Sequence, residues 1–230
     1  SISRIEEDNF VWLDKFTIRN LELFHSPYEG ASTLIDVMDR TVSPMGGRIL
    51  KRWISLPLKD IQPVNERLDV VQHLAEKSAF REEAAILLRQ IGDLERLISK
   101  VAVSRINPRE MVQLKRALRA MDPLKDLCLN SGCMPLVSIG EQLNPCRLLA
   151  ERIEHELNSD PPVQINRGNI ISSGVSAELD ELRSILYNGK DYLSELQNRE
   201  SLRTGISSLK VSYNNVFGYY IEVRNTHKEK

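Results

Sequence analysis

The feature that most constrains the fold is a long uninterrupted stretch, Ser176 to Arg203, in which leucines recur at steps of three and four. This spacing places the leucines on one narrow stripe of a helix. At about 1.5 Å per residue such a helix is roughly 40 Å long, which suits an arm better than an ordinary core helix. A core helix of a bundle is the alternative. The stripe, called the leucine seam below, consists of Leu179, Leu182, Leu186, Leu193 and Leu196, with Gly189 at the remaining position.

A β-hairpin is predicted directly after this helix. Thr204-Gly205 is expected to end the helix, and Leu209 to Val223 alternates as strand, turn and strand. The turn carries Asn214-Asn215 and Gly218, residues that tolerate left-handed backbone. The alternation predicts that the apolar odd-numbered positions form a buried face. The side chains expected to point outward are Lys210, Ser212, Tyr220, Glu222 and Arg224.

The 175 residues before the arm predict a helical domain, so the fold class is mainly α. Capping residues followed by apolar stripes mark most of its helices. Gly132, Pro135 and Gly140 predict a loop over 130–144. The expected helices start at Asp14 (through Leu23), at Ser32 or Thr33 (through Asp39), at Ser43-Pro44 (through Leu56), at Pro63, at Ala79 (through Ile91), at Asp93 after Gly92, at Asn107-Pro108, and at Leu143 (through Leu157). For Arg19 to Phe24 a strand is as possible as a helix. A small hairpin is expected between Val163–Ile165 and Asn169–Ile171.

Composition excludes several classes of function. The net charge of −1 gives no overall attraction to nucleic acid or membrane, so any charged function must be local. Acidic residues dominate 178–200, whereas basic residues dominate after Arg203, so the basic excess lies at the hairpin end. Three cysteines without paired spacing support neither a disulfide framework nor a zinc site, and favour a reducing, cytoplasmic location. The first residue, Ser1, and a last residue, Lys230, just after the hairpin suggest an excised piece of a longer protein.

Catalytic motifs are not found in the sequence. Gly46-Gly47 and Gly168 to Gly174 lack the lysine and hydroxyl of a phosphate-binding loop. The four histidines are scattered without the i, i+4 pairing of a metal site, and the acidic pairs fit solvated faces better than general acid and base. An enzyme active site, a cofactor and a metal are therefore not expected within these residues.

Many ordered motifs resemble those of the MutS DNA mismatch-recognition proteins. Thr41 to Leu58 reproduces T-x3-M-G-x-R-x-L-x2-W-x3-P-L, and Leu13 to Leu23 matches L-D-x2-T-x2-N-L-E-L. Further matches are Gly92-Asp93-Leu94-Glu95-Arg96, Glu178-Leu179-Asp180, Thr204-Gly205, Leu209-Lys210-Val211, Asn214 and Gly218-Tyr219-Tyr220-Ile221. Val175 departs from the tyrosine that such proteins more usually carry there.

The resemblance implies the middle of such a protein: a helical core (1–175), a protruding lever helix (176–204) and the start of a small antiparallel β clamp (205–230). It implies non-catalytic gripping of the double-stranded DNA backbone and transmission of conformational change to an ATPase domain that is absent here, with ATP and magnesium bound only there. A second copy of the protein is the implied dimer partner; a membrane or a small-molecule substrate is not expected.

The DNA contacts predicted on the matched hairpin region are individual assignments. Long or hydroxyl-bearing donors grip phosphate oxygens without reading bases, although a solvated loop has the same composition. Another alternative is a structural helical arm that associates with a partner protein through its seam and does not contact DNA. The predicted contacts are Lys210, Arg224, Asn225, Thr226, Lys228 and Lys230, with Asn214 and Asn215 as weaker candidates.

Overall fold

A computed structural model describes residues 9–227, apart from the side chains of Ile185 and Lys190. The fold is mainly α, with one two-stranded antiparallel sheet among the described residues. Contacts divide the chain into unit 1, residues 1–171, and unit 2, residues 172–230. The helices of unit 1 are α1 (Lys15–Asn20), α2 (Leu34–Met38), α3 (Pro44–Ser55), α4 (Ile61–Glu76), α5 (Ser78–Ile91), α6 (Leu94–Ala102), α7 (Pro108–Leu129), α8 (Met134–Gln142) and α9 (Arg147–Glu156). Unit 2 contains α10 (Ala177–Thr204), β1 (Lys210–Asn214) and β2 (Gly218–Glu222).

The capping residues confirm most of the predicted helix starts. Asp14, Thr33 and Ser43 each accept a hydrogen bond from the backbone N–H three residues later. Asn107 does the same and forms a reciprocal capping box with Glu110, ahead of a proline at the first helical position. Two predicted boundaries are wrong. The first helix was expected to end at Leu23, but α1 ends at Asn20. The last helix of unit 1 was expected to begin at Leu143, but α9 begins at Arg147.

Helix α7 is the centre of unit 1, because α5, α8 and α9 all pack against it. One buried cluster joins α7 to α5 through Ala117, Ala120, Leu87 and Ile91. A second joins α7 to α6 and α9 through Leu97, Leu114, Leu118, Ala150 and Ile153. Unit 1 is therefore held together by two apolar clusters that share one long helix.

The loop predicted over 130–144 is wrong, because α8 occupies most of it. Pro135 lies in the first turn of α8, where a missing N–H costs nothing. Gly140 is buried against α7, where a Cβ would lie 3.0 Å from Cys128 Cβ and 3.2 Å from Leu129 Cγ. The glycine that suggests a loop in the sequence thus permits a close helix–helix approach.

Replacing Gly140 with valine should destabilise unit 1 by about 1–3 kcal/mol, because the added carbons overlap atoms whose positions α7 fixes. Urea unfolding followed by circular dichroism measures the change. Gly189→Ala is the matched control, since Gly189 lies inside α10 with open space around it and alanine is the better helix former. Equal stability of the Gly140 variant and the unsubstituted chain would contradict the close contact.

The hairpin predicted between 163–165 and 169–171 is also wrong. Residues Ile165–Arg167 form a 3-10 turn, and Ile171 pairs with Leu157 instead. The Asn158 N–H donates to Ile170 O at 2.8 Å, and its side-chain amide donates to Asn169 O at 2.8 Å. Residues 169–171 therefore pair with the residues that follow α9, and not with residues 163–165.

Arg48 on α3 joins two helices that are distant in sequence. Its guanidinium donates to Asp93 Oδ1 at 2.6 Å and to Glu95 Oε2 at 2.6 Å, at the start of α6. These side-chain hydrogen bonds hold the pKa of Asp93 below its usual range and raise that of Arg48. Arg48 is therefore engaged in a contact within the fold.

The Arg48–Asp93 pair should make stability depend on pH. A carboxyl whose pKa is lowered by folding contributes stability above its unfolded pKa and loses it as pH falls through the folded value. Arg48→Gln should therefore lower the free energy of unfolding at pH 7, and the deficit should shrink below about pH 4. Urea unfolding at both pH values measures this. Arg52→Gln, an exposed cation of the same helix, should show no such pH-dependent deficit.

Candidate nucleic-acid interface

Helix α10 begins and ends with local signals that the sequence contains. The Ser176 hydroxyl accepts from the Leu179 N–H at 3.3 Å, and Gly205 ends the helix in the left-handed conformation, with φ of 68°. The predicted helix bounds are confirmed to within one residue. At about 1.5 Å per residue, its 28 residues span about 42 Å.

A buried joint fastens the hairpin to the end of α10. Ile206 and Leu209 are 4% exposed each. The Ser201 hydroxyl donates to Ile206 O at 2.8 Å, and the Val211 N–H donates to Gln197 Oε1 at 3.1 Å. No sequence pattern predicts this role of Gln197, because it depends on strand β1 folding back beside α10.

The pairing of the hairpin gives the two faces predicted from the alternation. Val211 lies opposite Ile221 and Tyr213 opposite Tyr219, so the apolar odd-numbered positions share one face. The two tyrosine rings lie 5.0 Å apart. Lys210 lies opposite Glu222 and Ser212 opposite Tyr220 on the other face.

The burial expected for the apolar face is wrong for four of its residues. Tyr213 is 59% exposed, Tyr219 66%, Ile221 50% and Val223 39%. Alternation assigns residues to faces, but a two-stranded sheet has a second layer only where another element packs on it. Among the described residues, that packing reaches Leu209 and leaves these four side chains open.

The turn of the hairpin is built differently from the prediction. Gly218 has φ of 72°, as expected, but Asn214 and Asn215 do not adopt left-handed backbone. Instead, Asn214 Oδ1 accepts from the Val216 N–H at 3.0 Å and from the Phe217 N–H at 2.7 Å. The side-chain amide oxygen of Asn214 is therefore engaged in the turn, whereas the Asn215 side chain is exposed.

The cations of the hairpin differ from the arginines of α10. Arg183 pairs with Asp180 at 3.1 Å, and Arg203 pairs with Glu200 at 2.7 Å. Lys210 and Arg224 are exposed and form no ion pair with a described residue. Their charges are accordingly available to an external anion, which the α10 pairs are not.

The remaining predicted contacts fall on both sides of the described boundary. Asn225 and Thr226 are exposed in a 3-10 turn that follows β2 and Arg224. The His227 N–H donates to Arg224 O at 3.0 Å, which fixes the backbone of this turn. Lys228 and Lys230 lie outside the described residues. Which of these residues contact phosphate stays a prediction.

The leucine seam is only partly covered. Leu182 and Leu186 are 57% and 68% exposed, whereas Leu179, Leu193 and Leu196 are half-buried. Gly189 has no atom near the place of a Cβ. Among the described residues, this half of α10 therefore presents open apolar surface.

The described His, Cys, Asp and Glu side chains form no group of three or more that could hold a metal ion. None of the described helices has the length and apolar content that crossing a membrane requires.

Comparison with known proteins gives consistent matches. A family model described as MutS domain III matches residues 16–213. The chain is 60% identical over 230 residues to the DNA mismatch repair protein MutS of Phocaeicola vulgatus and 58% identical to that of Bacteroides thetaiotaomicron. These alignments cover 100% of this chain but 26% and 27% of the two relatives. The chain thus spans about a quarter of the length of the curated relatives that it matches.

Proposed function

This chain belongs to the MutS family of DNA mismatch repair proteins, and we propose that its unit 2 grips the DNA backbone without reading the base sequence. The observation that carries the proposal is the contrast between paired arginines on α10 and unpaired, exposed Lys210 and Arg224 on the hairpin. Free cations beside neutral donors suit phosphate oxygens. Asn215, Asn225 and Thr226 supply such donors.

The same unit is proposed to transmit movement. A hydrogen-bonded helix is stiff along its axis, and the buried joint of Ile206 and Leu209 fixes the hairpin to its end. A displacement at the hairpin should therefore tilt α10 as a whole. Coupling also requires an element with two states at the other end of α10. We assign this element to the longer protein. ATP, magnesium and the second copy of the protein are assigned to the longer protein as well. These residues carry no catalytic step in the proposal.

Fluorescence anisotropy of this chain with matched and mismatched duplexes tests the proposal. We expect equal, weak binding to both duplexes, in the range of about 10⁻⁴ to 10⁻⁶ M that is typical of non-specific backbone contacts. Lys210→Ala and Arg224→Ala should each weaken both complexes equally, whereas Arg203→Ala should change neither. Strong preference for the mismatch would contradict the proposal, because backbone contacts carry no base information.

A helical arm for protein association is the second candidate, and the exposure of Leu182 and Leu186 favours it. It predicts that Leu186→Glu weakens association while Lys228→Ala has no effect. Sedimentation velocity of the two variants separates this function from DNA binding. DNA binding should be weakened by Lys228→Ala and unchanged by Leu186→Glu.

A further inference from the structure

A groove in unit 1 lies between α1, α3 and the segment that joins α1 to α2. Its volume is about 680 Å³. Ile18, Phe24 and Ile35 form an apolar floor, of which Ile35 is buried and the other two are half-buried. The groove is thus a preformed apolar depression that is open along one side.

The rim of this groove is basic. Lys15 and Arg19 come from successive turns of α1 and Lys51 comes from α3, and all three are exposed and form no ion pair with a described residue. His25 also lines the groove, and none of the acidic residues that the structure describes does. An apolar floor under a positive rim fits a segment with an apolar stripe flanked by carboxylates.

Two described carboxylates, Asp36 and Asp39, lie close to the groove but form no ion pair with its rim. Asp36, whose charge interacts with His25, is held by the Thr33 N–H and hydroxyl at 3.0 and 2.7 Å. Asp39, whose charge interacts with Lys51, is held by the Thr41 N–H and hydroxyl at 3.0 and 2.7 Å. Both carboxylates are committed to local turns, and the lysines remain without an ion-pair partner among residues 9–227.

We propose that this groove binds an acidic amphipathic segment that lies outside residues 1–230 of the same longer polypeptide. Charge complementarity sets the chemistry of the occupant. We take the same polypeptide as its source, because about three quarters of each relative's length lies outside the part that this chain matches. A tethered segment also needs little intrinsic affinity, since its effective concentration at the groove is high.

Carbodiimide cross-linking of the full-length protein, followed by mass spectrometry, tests the inference. Carbodiimide joins a lysine amine directly to a carboxylate that it contacts. We expect Lys15 and Lys51 to be joined to carboxylates of one common segment outside residues 1–230. Lys77, an exposed lysine that does not line the groove, is the matched control and should not be joined to that segment.

Two variants separate docking from chance proximity. Ser55→Trp, which fills the groove, should lower both cross-link yields about tenfold. Lys15→Gln should lower the yield at Lys51 about two- to fivefold through loss of one attractive charge, whereas Lys77→Gln should not. The inference is overturned if the two lysines are joined only to Asp36 or Asp39, to α10 of a second copy, or to another protein. The inference is also overturned if the cross-link yield at Lys51 is the same in Ser55→Trp and in Lys15→Gln as in the unsubstituted protein.

Discussion

Raising the salt concentration from 50 to 200 mM should weaken DNA binding by this chain about 100-fold. The expectation follows from four cations proposed to contact phosphates, Lys210, Arg224, Lys228 and Lys230. Each neutralised phosphate releases condensed counterions, so the slope of log K against log salt should be about −3.6 for four contacts. Anisotropy titrations at several salt concentrations measure the slope directly.

The double variant Lys210→Ala/Arg224→Ala should halve this slope to about −1.8, because two of the four phosphate contacts are lost. Arg203→Ala is the control: Arg203 is also exposed, but Glu200 holds it at 2.7 Å. It should leave the slope unchanged if pairing decides which cations reach DNA. A slope near zero for the unsubstituted chain would eliminate the backbone-gripping proposal.

Truncating Leu118 to alanine should remove about 2–5 kcal/mol from the free energy of unfolding of unit 1. Leu118 is 5% exposed and packs with Leu97, Leu114, Ala150 and Ile153 at the junction of three helices. The lost side chain leaves a cavity that α6, α7 and α9 cannot close without moving together. Since a domain is stable by only about 5–15 kcal/mol, this change should shift the urea midpoint strongly.

Leu148→Ala provides the matched comparison for Leu118→Ala. Leu148 lies on α9 of the same unit but is 83% exposed, so its truncation should change stability by less than about 0.5 kcal/mol. Both variants are measured by urea unfolding with circular dichroism. Equal effects of the two substitutions would mean that α7 is not the centre of the core.

The sequence predicts local structure well where one hydrogen bond decides it. The helix starts after Asp14, Thr33, Ser43 and Asn107 are readable because each cap bonds a backbone N–H only three residues away. The two faces of the hairpin are readable for a similar reason, since the alternation of apolar and polar residues assigns each residue to a face.

Predictions fail where a residue type can serve two structural roles and the adjacent sequence does not show which of the two it has. Gly140 marks a loop in many chains, yet here its missing Cβ admits the flank of α7. The Asn169–Ile171 segment suggests a strand, and it pairs with Leu157 rather than with residues 163–165. Asn214 suggests left-handed backbone, and it instead accepts two backbone hydrogen bonds across the turn.

The candidate interface shows the same division. The residue types of the interface and its position after α10 were predicted from the sequence. DNA as the ligand was predicted from the family resemblance. Pairing within the fold then distinguished free Lys210 and Arg224 from Arg183 and Arg203, which no composition count separates. The basic groove near α1 was not found from the sequence, because Arg19 and Lys51 are distant along the chain and only packing brings them together.

The sequence by itself determined the mainly helical class, the caps, the long α10 and the pairing of the hairpin, because these depend on interactions between residues a few positions apart. Only the tertiary structure decided that Arg48 meets Asp93 and Glu95, that Gln197 holds β1, and that Tyr213 and Tyr219 stay exposed. The physical reason is that burial and ion pairing depend on which distant surfaces meet, and the local pattern of residues does not encode that choice uniquely.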